Sequence, residues 1–312
     1  QFQSALTLGW QIDLWGQLRN MRASALEAFL ATQEAKRGVE TSLIAQLVVT
    51  WLTIHEYDER IDLAKRTIVT RSESYRIARR RYEVGSGSRL DMTQAETLMG
   101  QAETAMQALE QARDQARNAL SLLVGAPYDP GVRSLRLADT DVDRPLPAGL
   151  PSDLLLNRPD ILAAEHQLIA AHADIGAARA NFFPNISLTG DFGTASAHLD
   201  ALFAHGQRSW SFSPAVTLPI FDAGRNRASL AAAKARRDIA VANYEKTVES
   251  AFRDVADALA QRKWLAAQIS STRRTLGALD ERLRLAQIRY TSGRSAYLEV
   301  LDAERDRFDT EQ

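Results

Sequence analysis

The chain has 312 residues, with 38 Lys and Arg against 39 Asp and Glu, so its charge gives no reason to expect a nucleic-acid or other polyanionic partner. It contains no cysteine, which excludes disulfides, thiolate metal ligands and cysteine nucleophiles within these residues. No run approaches eighteen uninterrupted apolar residues, so no transmembrane helix is expected.

The first predicted element is a strand. From Phe2 to Leu14 the even positions Phe2, Leu6, Leu8, Trp10, Ile12 and Leu14 are apolar, while Gln3, Thr7, Gln11 and Asp13 are polar. Period-two alternation marks a strand with one apolar and one wet face.

A long helix follows from about Trp15 to Val84, with Gly38 as its only glycine beyond Gly16 and no proline. About 68 helical residues would form a rod of roughly 100 Å, which needs neighbours along its whole length. A seven-residue repeat through Leu47, Ile54, Ile61, Ile68, Tyr75 and Tyr82, with Tyr57, Ala64 and Ala78 three residues on, predicts coiled-coil packing. On these residues alone an ordinary dimeric coiled coil stays open. The loop Gly85-Ser86-Gly87-Ser88 then joins the rod to a second helix from Leu90 to Val124, predicting an antiparallel hairpin.

The linker from Gly125 to Leu150 is rich in proline and glycine, as befits an irregular surface connection, and all nine prolines lie between Pro127 and Pro219. A helix is predicted over 158–181. Two further strands come next, one with Ile186, Leu188 and Phe192 alternating with Asn185, Ser187, Thr189 and Asp191, the other running from Trp210 to Ile220. Gly190 and Gly193 are read as belonging to a strand end. A second rod from Ala223 to Ser292 carries the seam Ile269, Leu276, Leu283 and Tyr290, with Leu265, Leu279 and Ala286 as companions. It ends in the loop Thr291-Ser292-Gly293-Arg294.

The second half repeats the first at an offset of 208 residues without a gap. Gly16, Arg81, Tyr82, Gly85, Leu90 and Glu96 fall on Gly224, Arg289, Tyr290, Gly293, Leu298 and Glu304. Such spacing implies one structural unit used twice. By this logic the first unit lacks its beginning and the second its end. A fourth strand, a signal peptide or a lipid-attachment cysteine would lie upstream.

A soluble sandwich also produces alternating strands. Strands of ten or more residues, aromatic residues near their ends (Phe2, Phe182, Phe183 and Trp210) and the lack of strands for a second sheet favour a membrane barrel. Four strands cannot close such a barrel, so several chains must share one. A trimer, which leaves a lumen, is preferred to a dimer.

The stretches Leu150-Pro-Ser-Asp-Leu-Leu, Asn157-Arg-Pro-Asp-Ile, Ile175-Gly-Ala-Ala-Arg-Ala, Phe183-Pro-Asn-Ile-Ser-Leu-Thr-Gly190, Leu218-Pro-Ile-Phe-Asp-Ala-Gly-Arg225 and Ala251-Phe-Arg-Asp-Val-Ala-Asp-Ala-Leu259 closely resemble the outer-membrane factors of tripartite multidrug efflux pumps. The resemblance covers essentially the whole chain. It implies a mainly α protein with membrane β-structure. Long coiled-coil hairpins would build a periplasmic tunnel, and strands would enter a shared trimeric outer-membrane barrel. The corresponding divisions are a barrel strand over 1–14, a tunnel hairpin over 15–124, an equatorial linker over 125–157, a helix over 158–181, strands and an extracellular loop over 182–221, and a second hairpin over 222–312. The resemblance further implies a Gram-negative outer-membrane location reaching into the periplasm. The partners would be a periplasmic adaptor and an inner-membrane transporter, most simply of the RND type. A duct for type I protein secretion is the nearest alternative, and a soluble coiled-coil scaffold or adaptor the distant one.

Within that family the second tip helix lines the periplasmic constriction. Leu298, Asp302 and Arg305 share a face, with Glu299 one turn from Asp302, and the first copy has Gln94 and Thr97 where the second has Asp302 and Arg305. Leu298, Glu299, Asp302 and Arg305 are therefore the candidate gate, with Leu298 as the steric plug and Asp302 paired with Arg305. Some relatives carry an arginine two residues after the tip glycine, whereas Arg294 follows Gly293 directly. Val84, Gly85, Ser86, Gly87, Gly293 and Arg294 are the candidate adaptor contacts, and Phe2, Trp10, Phe182, Phe183, Trp210 and Phe212 the candidate lipid-facing aromatics. No cofactor or metal is expected. His166 and His172 fall on different helix faces, His198 and His205 lie in the extracellular loop, and Asp160 is expected to pair with Arg158 or Arg179 rather than act with Glu165. No enzyme is indicated.

Overall fold

The computed structural model describes residues 2–127, 137 and 157–312, so the predicted equatorial linker and its Leu150-Pro-Ser-Asp-Leu-Leu motif fall almost wholly outside the described residues. The elements are β1 (Phe2–Ile12), α1 (Gln17–Glu83), α2 (Arg89–Val124), α3 (Pro159–Ala180), β2 (Asn185–Ser196), β3 (Arg208–Thr217), α4 (Arg225–Thr291) and α5 (Leu298–Glu311). The chain divides into two compact units, Gln1–Val39 with Ala148–Asp254 and Glu40–Pro147 with Val255–Gln312. Among the described residues no helix is long and apolar enough to cross a membrane.

The first unit holds an antiparallel sheet of order β1-β2-β3. Its register aligns Leu6 with Phe192 and Trp210, Leu8 with Gly190 and Phe212, Trp10 with Leu188 and Pro214, and Ile12 with Ile186 and Val216. Because side chains alternate between faces, these four rows form one continuous apolar face. Gly190 and Gly193 lie well inside β2 rather than at a strand end. A Cβ on Gly193 would collide with the Ser4 carbonyl oxygen and with Ala5, so that position must lack a side chain for β1 to approach. The strands stop at Ile12 and Thr217, short of Leu14 and Ile220.

Both strand-to-helix turns use an aspartate. Asp13 accepts backbone N–H bonds from Leu18 (3.1 Å) and Arg19 (2.9 Å), and Asp222 accepts from Gly224 (3.0 Å) and Asn226 (2.8 Å). The donors are the orphan amides of a helix start, and the carboxylate also faces the positive end of the helix dipole. Under the 208-residue offset Asp13 falls on Phe221, not Asp222, so the same task is done one residue apart in the two copies. Asn181, just after α3, ties these starts together, since its Oδ1 accepts from Gln17 Nε2 (2.5 Å) and its carbonyl from Asn226 Nδ2 (2.9 Å). The α3 helix packs Ile175 and Ala178 against Ala233 of α4, with Leu230 at the edge.

In the second unit the predicted seam of α1 is buried at Ile54, Ile61, Ala64 and Ala78, with Ala95, Ala102 and Leu120 buried on α2. Small residues at these points let the helices approach closely. The second copy differs. Ile61 is 1% exposed, whereas its counterpart Ile269 is 51% exposed, with Leu265 also uncovered. The seam predicted on α4 is therefore bare at Leu265 and Ile269, half-buried at Leu276 and Leu279, and packed near the loop, where Ala286 meets Val300, Ala303, Leu283, Tyr290 and Tyr297.

Candidate gating tips and membrane face

The two helix tips are built alike. In the first, Gly85 (φ 76°) donates to the Tyr82 carbonyl at 3.0 Å and Ser86 to the Arg81 carbonyl at 2.9 Å. In the second, Gly293 (φ 70°) donates to Tyr290 at 3.0 Å and Arg294 to Arg289 at 2.8 Å. This paired pattern is the Schellman helix end, whose left-handed residue favours glycine. It gives Arg294 a definite place, the residue after the left-handed glycine, equivalent to Ser86. The helices leaving the tips differ. Ser88 caps α2 by accepting from Leu90 N–H at 3.1 Å, whereas α5 has no side-chain cap, Ala296 standing where the first copy has Ser88.

On α5, Asp302 Oδ1 lies 3.4 Å from Arg305 Nη1, so the predicted pair forms, although both side chains remain substantially exposed. Arg305 is shared, because its Nη2 also lies 3.1 Å from Asp306, which in turn meets Arg282 of α4 at 2.6 Å. Hydrogen bonding to Arg282 holds the Asp306 carboxyl below the usual carboxylate range. Glu299 points to Arg289 of α4 at 3.2 Å, so it braces α5 against the rod rather than joining Asp302. Leu298 stands exposed. Gln94 and Thr97 face Leu298, Asp302 and Arg305 across one groove of about 280 Å³ between α2 and α5, lined also by Leu98 and Leu301. Positions related by the duplication thus confront each other, with Ala95 and Ala303 buried.

Two contacts escaped the sequence reading. Arg81 of the first tip donates through Nη1 to the Tyr290 hydroxyl and lies 5.2 Å from that ring's centroid, joining the two tips. Both residues belonged to the repeated set, so the repeat marked them without revealing that they touch. The second is Arg71, only 4% exposed. Its Nη1 donates to the Leu98 carbonyl at 2.7 Å and its guanidinium sits 5.0 Å from the Phe308 ring centroid. Burial lowers the Arg71 pKa against the pull of the Glu304 and Asp309 carboxylates, and burial raises that of Glu304 against the pull of Arg71. Arg71 falls on Leu279 in the second copy, and that break in the repeat was the available signal.

The predicted aromatics of the strands, Phe2, Trp10, Trp210 and Phe212, stand exposed on the apolar face. Phe182 and Phe183 precede β2. Phe183 stacks on Trp15 with ring centroids 4.6 Å apart, and Trp15 Nε1 donates to the Pro184 carbonyl at 2.9 Å. Of the remaining candidates, His166 meets Glu27 at 2.6 Å, and Arg158 binds Asp160 (2.6 Å) and Asp254 (3.1 Å). Among the described residues no group of His, Asp or Glu could hold a metal ion.

These features agree with the comparison to known proteins. The family model for outer membrane efflux proteins matches residues 1–126 and 150–312. The chain belongs to that family. It is similar to the solvent efflux pump outer membrane protein SrpC of Pseudomonas putida, at 44% identity over 314 residues that span all of this chain and 66% of SrpC. The chain therefore spans just under two thirds of that relative's length. Among solved structures, CusC superposes with a TM-score of 0.91 at 38% identity, covering 99% of this chain and 72% of CusC. The open-state outer membrane channel MtrE of Neisseria gonorrhoeae gives a TM-score of 0.88 at 36% identity, covering 99% of this chain and 74% of MtrE. The fold class is thus that of the outer-membrane efflux channels, with long helices combined with a few strands.

Proposed function

We propose that this protein forms the outer-membrane exit duct of a tripartite efflux system, through which drugs and other small toxic compounds leave passively. The observation that carries the reading is the three-stranded sheet, with four apolar rows on one face, exposed at Leu6, Leu8, Trp10, Phe192, Trp210, Phe212 and Val216, and mostly polar side chains on the other. An exposed apolar face of that extent marks an interaction surface, and this alternation in strands of ten to twelve residues suits a lipid-facing wall around a wet lumen. Three copies share one barrel, since three strands leave open edges that a membrane does not tolerate. Energy and substrate choice come from an inner-membrane transporter, of the RND type, bridged by a periplasmic adaptor. The tip residues Val84, Gly85, Ser86, Gly87, Gly293 and Arg294 are the adaptor contacts. Leu298, Asp302 and Arg305 close the duct, with Glu299 holding α5 in place. Location in the Gram-negative outer membrane and transport without catalysis belong to the same reading, and the efflux role of the named relative favours it over protein secretion.

The test is cross-linking in intact outer membranes, followed by affinity capture. A three-chain species that retains an adaptor and an RND-type transporter is the expected result. A water-soluble chain recovered without detergent would overturn the reading.

A further inference from the structure

The two faces of the sheet differ in charge as well as polarity. The register places Thr7, Asp191 and Ser211 in one row on the face opposite the apolar rows. Asp191 is the single ionisable residue on that face among the described strand residues. Arg208, the other charged residue of the strands, lies at the loop end of β3. Asp191 sits in the central strand, and one hydroxyl from each flanking strand holds it. Its Oδ1 accepts from Thr7 Oγ1 at 2.6 Å and its Oδ2 from Ser211 Oγ at 3.0 Å. A carboxylate offers about four acceptor positions, so two remain for water or a passing cation. A charge in mid-strand is strongly disfavoured against lipid, which independently assigns this face to the lumen.

We propose that Asp191, recurring once per chain, forms a ring of fixed carboxylates in the barrel lumen that selects cationic over anionic solutes, separate from the charges at the helix tips. The proposal rests on the duct reading above. The hydroxyl pair keeps each carboxylate in one position, so the ring presents a constant field to whatever traverses the barrel. Asn in this position would keep the shape and lose the charge. Ser would continue the hydroxyl row of Thr7 and Ser211.

The experiment is the reversal potential of the purified protein in planar bilayers under a KCl gradient. It is run on the native chain and on the Asp302→Ala/Arg305→Ala variant, which lacks the charged pair at the tip. In both backgrounds Asp191→Asn and Asp191→Ser should lower the potassium-to-chloride permeability ratio by about threefold at 0.1 M salt, and Asp191→Lys should carry it toward anions. The difference should shrink at 1 M salt, where the screening length falls to about 3 Å. Channels whose permeability ratio is unchanged by all three substitutions would overturn the ring while leaving the duct reading intact. A native chain that forms no channel would overturn the duct reading and the ring with it.

Discussion

Arg71 and Glu304 show what single residues do in the second unit. Arg71 is a buried cation with one firm acceptor, the Leu98 carbonyl, and with carboxylates whose charge it feels. Removing one of two buried charges that attract each other leaves the other less compensated, whereas removing both can be nearly neutral. Replacing Arg71 by the leucine of the second copy removes its hydrogen bond to the Leu98 carbonyl and should cost about 2 kcal/mol. Arg71→Leu/Glu304→Leu should recover most of that loss in thermal melting. The Arg158 knot makes a pH prediction. Hydrogen bonds from Arg158 hold the Asp160 carboxyl below its usual value, and bonds from Arg253 and Arg158 do the same for Asp254. Carboxylates with depressed folded pKa values contribute stability that is complete above the unfolded value of 3.8 and lost as pH falls through the lower folded values. Arg158→Gln should lower the melting temperature at neutral pH and flatten its fall below pH 4. A parallel fall in both proteins would remove Arg158 as the cause.

At the scale of elements, the tips carry the proposed gate. Both close with the same left-handed glycine, so Gly85→Ala and Gly293→Ala should each destabilise their tip by about 1 kcal/mol, seen as faster local amide exchange. The helices beyond differ, since Ser88 caps α2 and nothing comparable caps α5. The uncapped helix carries the Asp302–Arg305 pair, which fits α5 as the moving wall and α2 as the fixed one. Asp302→Ala/Arg305→Ala should raise single-channel conductance, and unchanged conductance would remove these residues from the gate. Much of the fold was legible beforehand, because a period of seven, a period of two and a 208-residue echo survive in one dimension. What was not legible depends on distant residues meeting. Gly193 reads as a strand-end glycine until β1 is placed against it, and the stacking of Phe183 on Trp15 joins residues far apart in the chain. Asp222 does the work of Asp13 from a shifted position, which a gap-free alignment hides.

For the whole molecule, the uncovered surfaces argue for company. Much of the apolar sheet face and the bare seam at Leu265 and Ile269 are exposed in the single chain. Lipid suits the first and other helices suit the second, as the proposed three-chain assembly supplies. The most direct test is planar-bilayer recording of the detergent-purified native protein. A trimeric duct predicts discrete conductance steps carried by a species of three chains. A monodisperse, detergent-independent protein that produces no steps would contradict it.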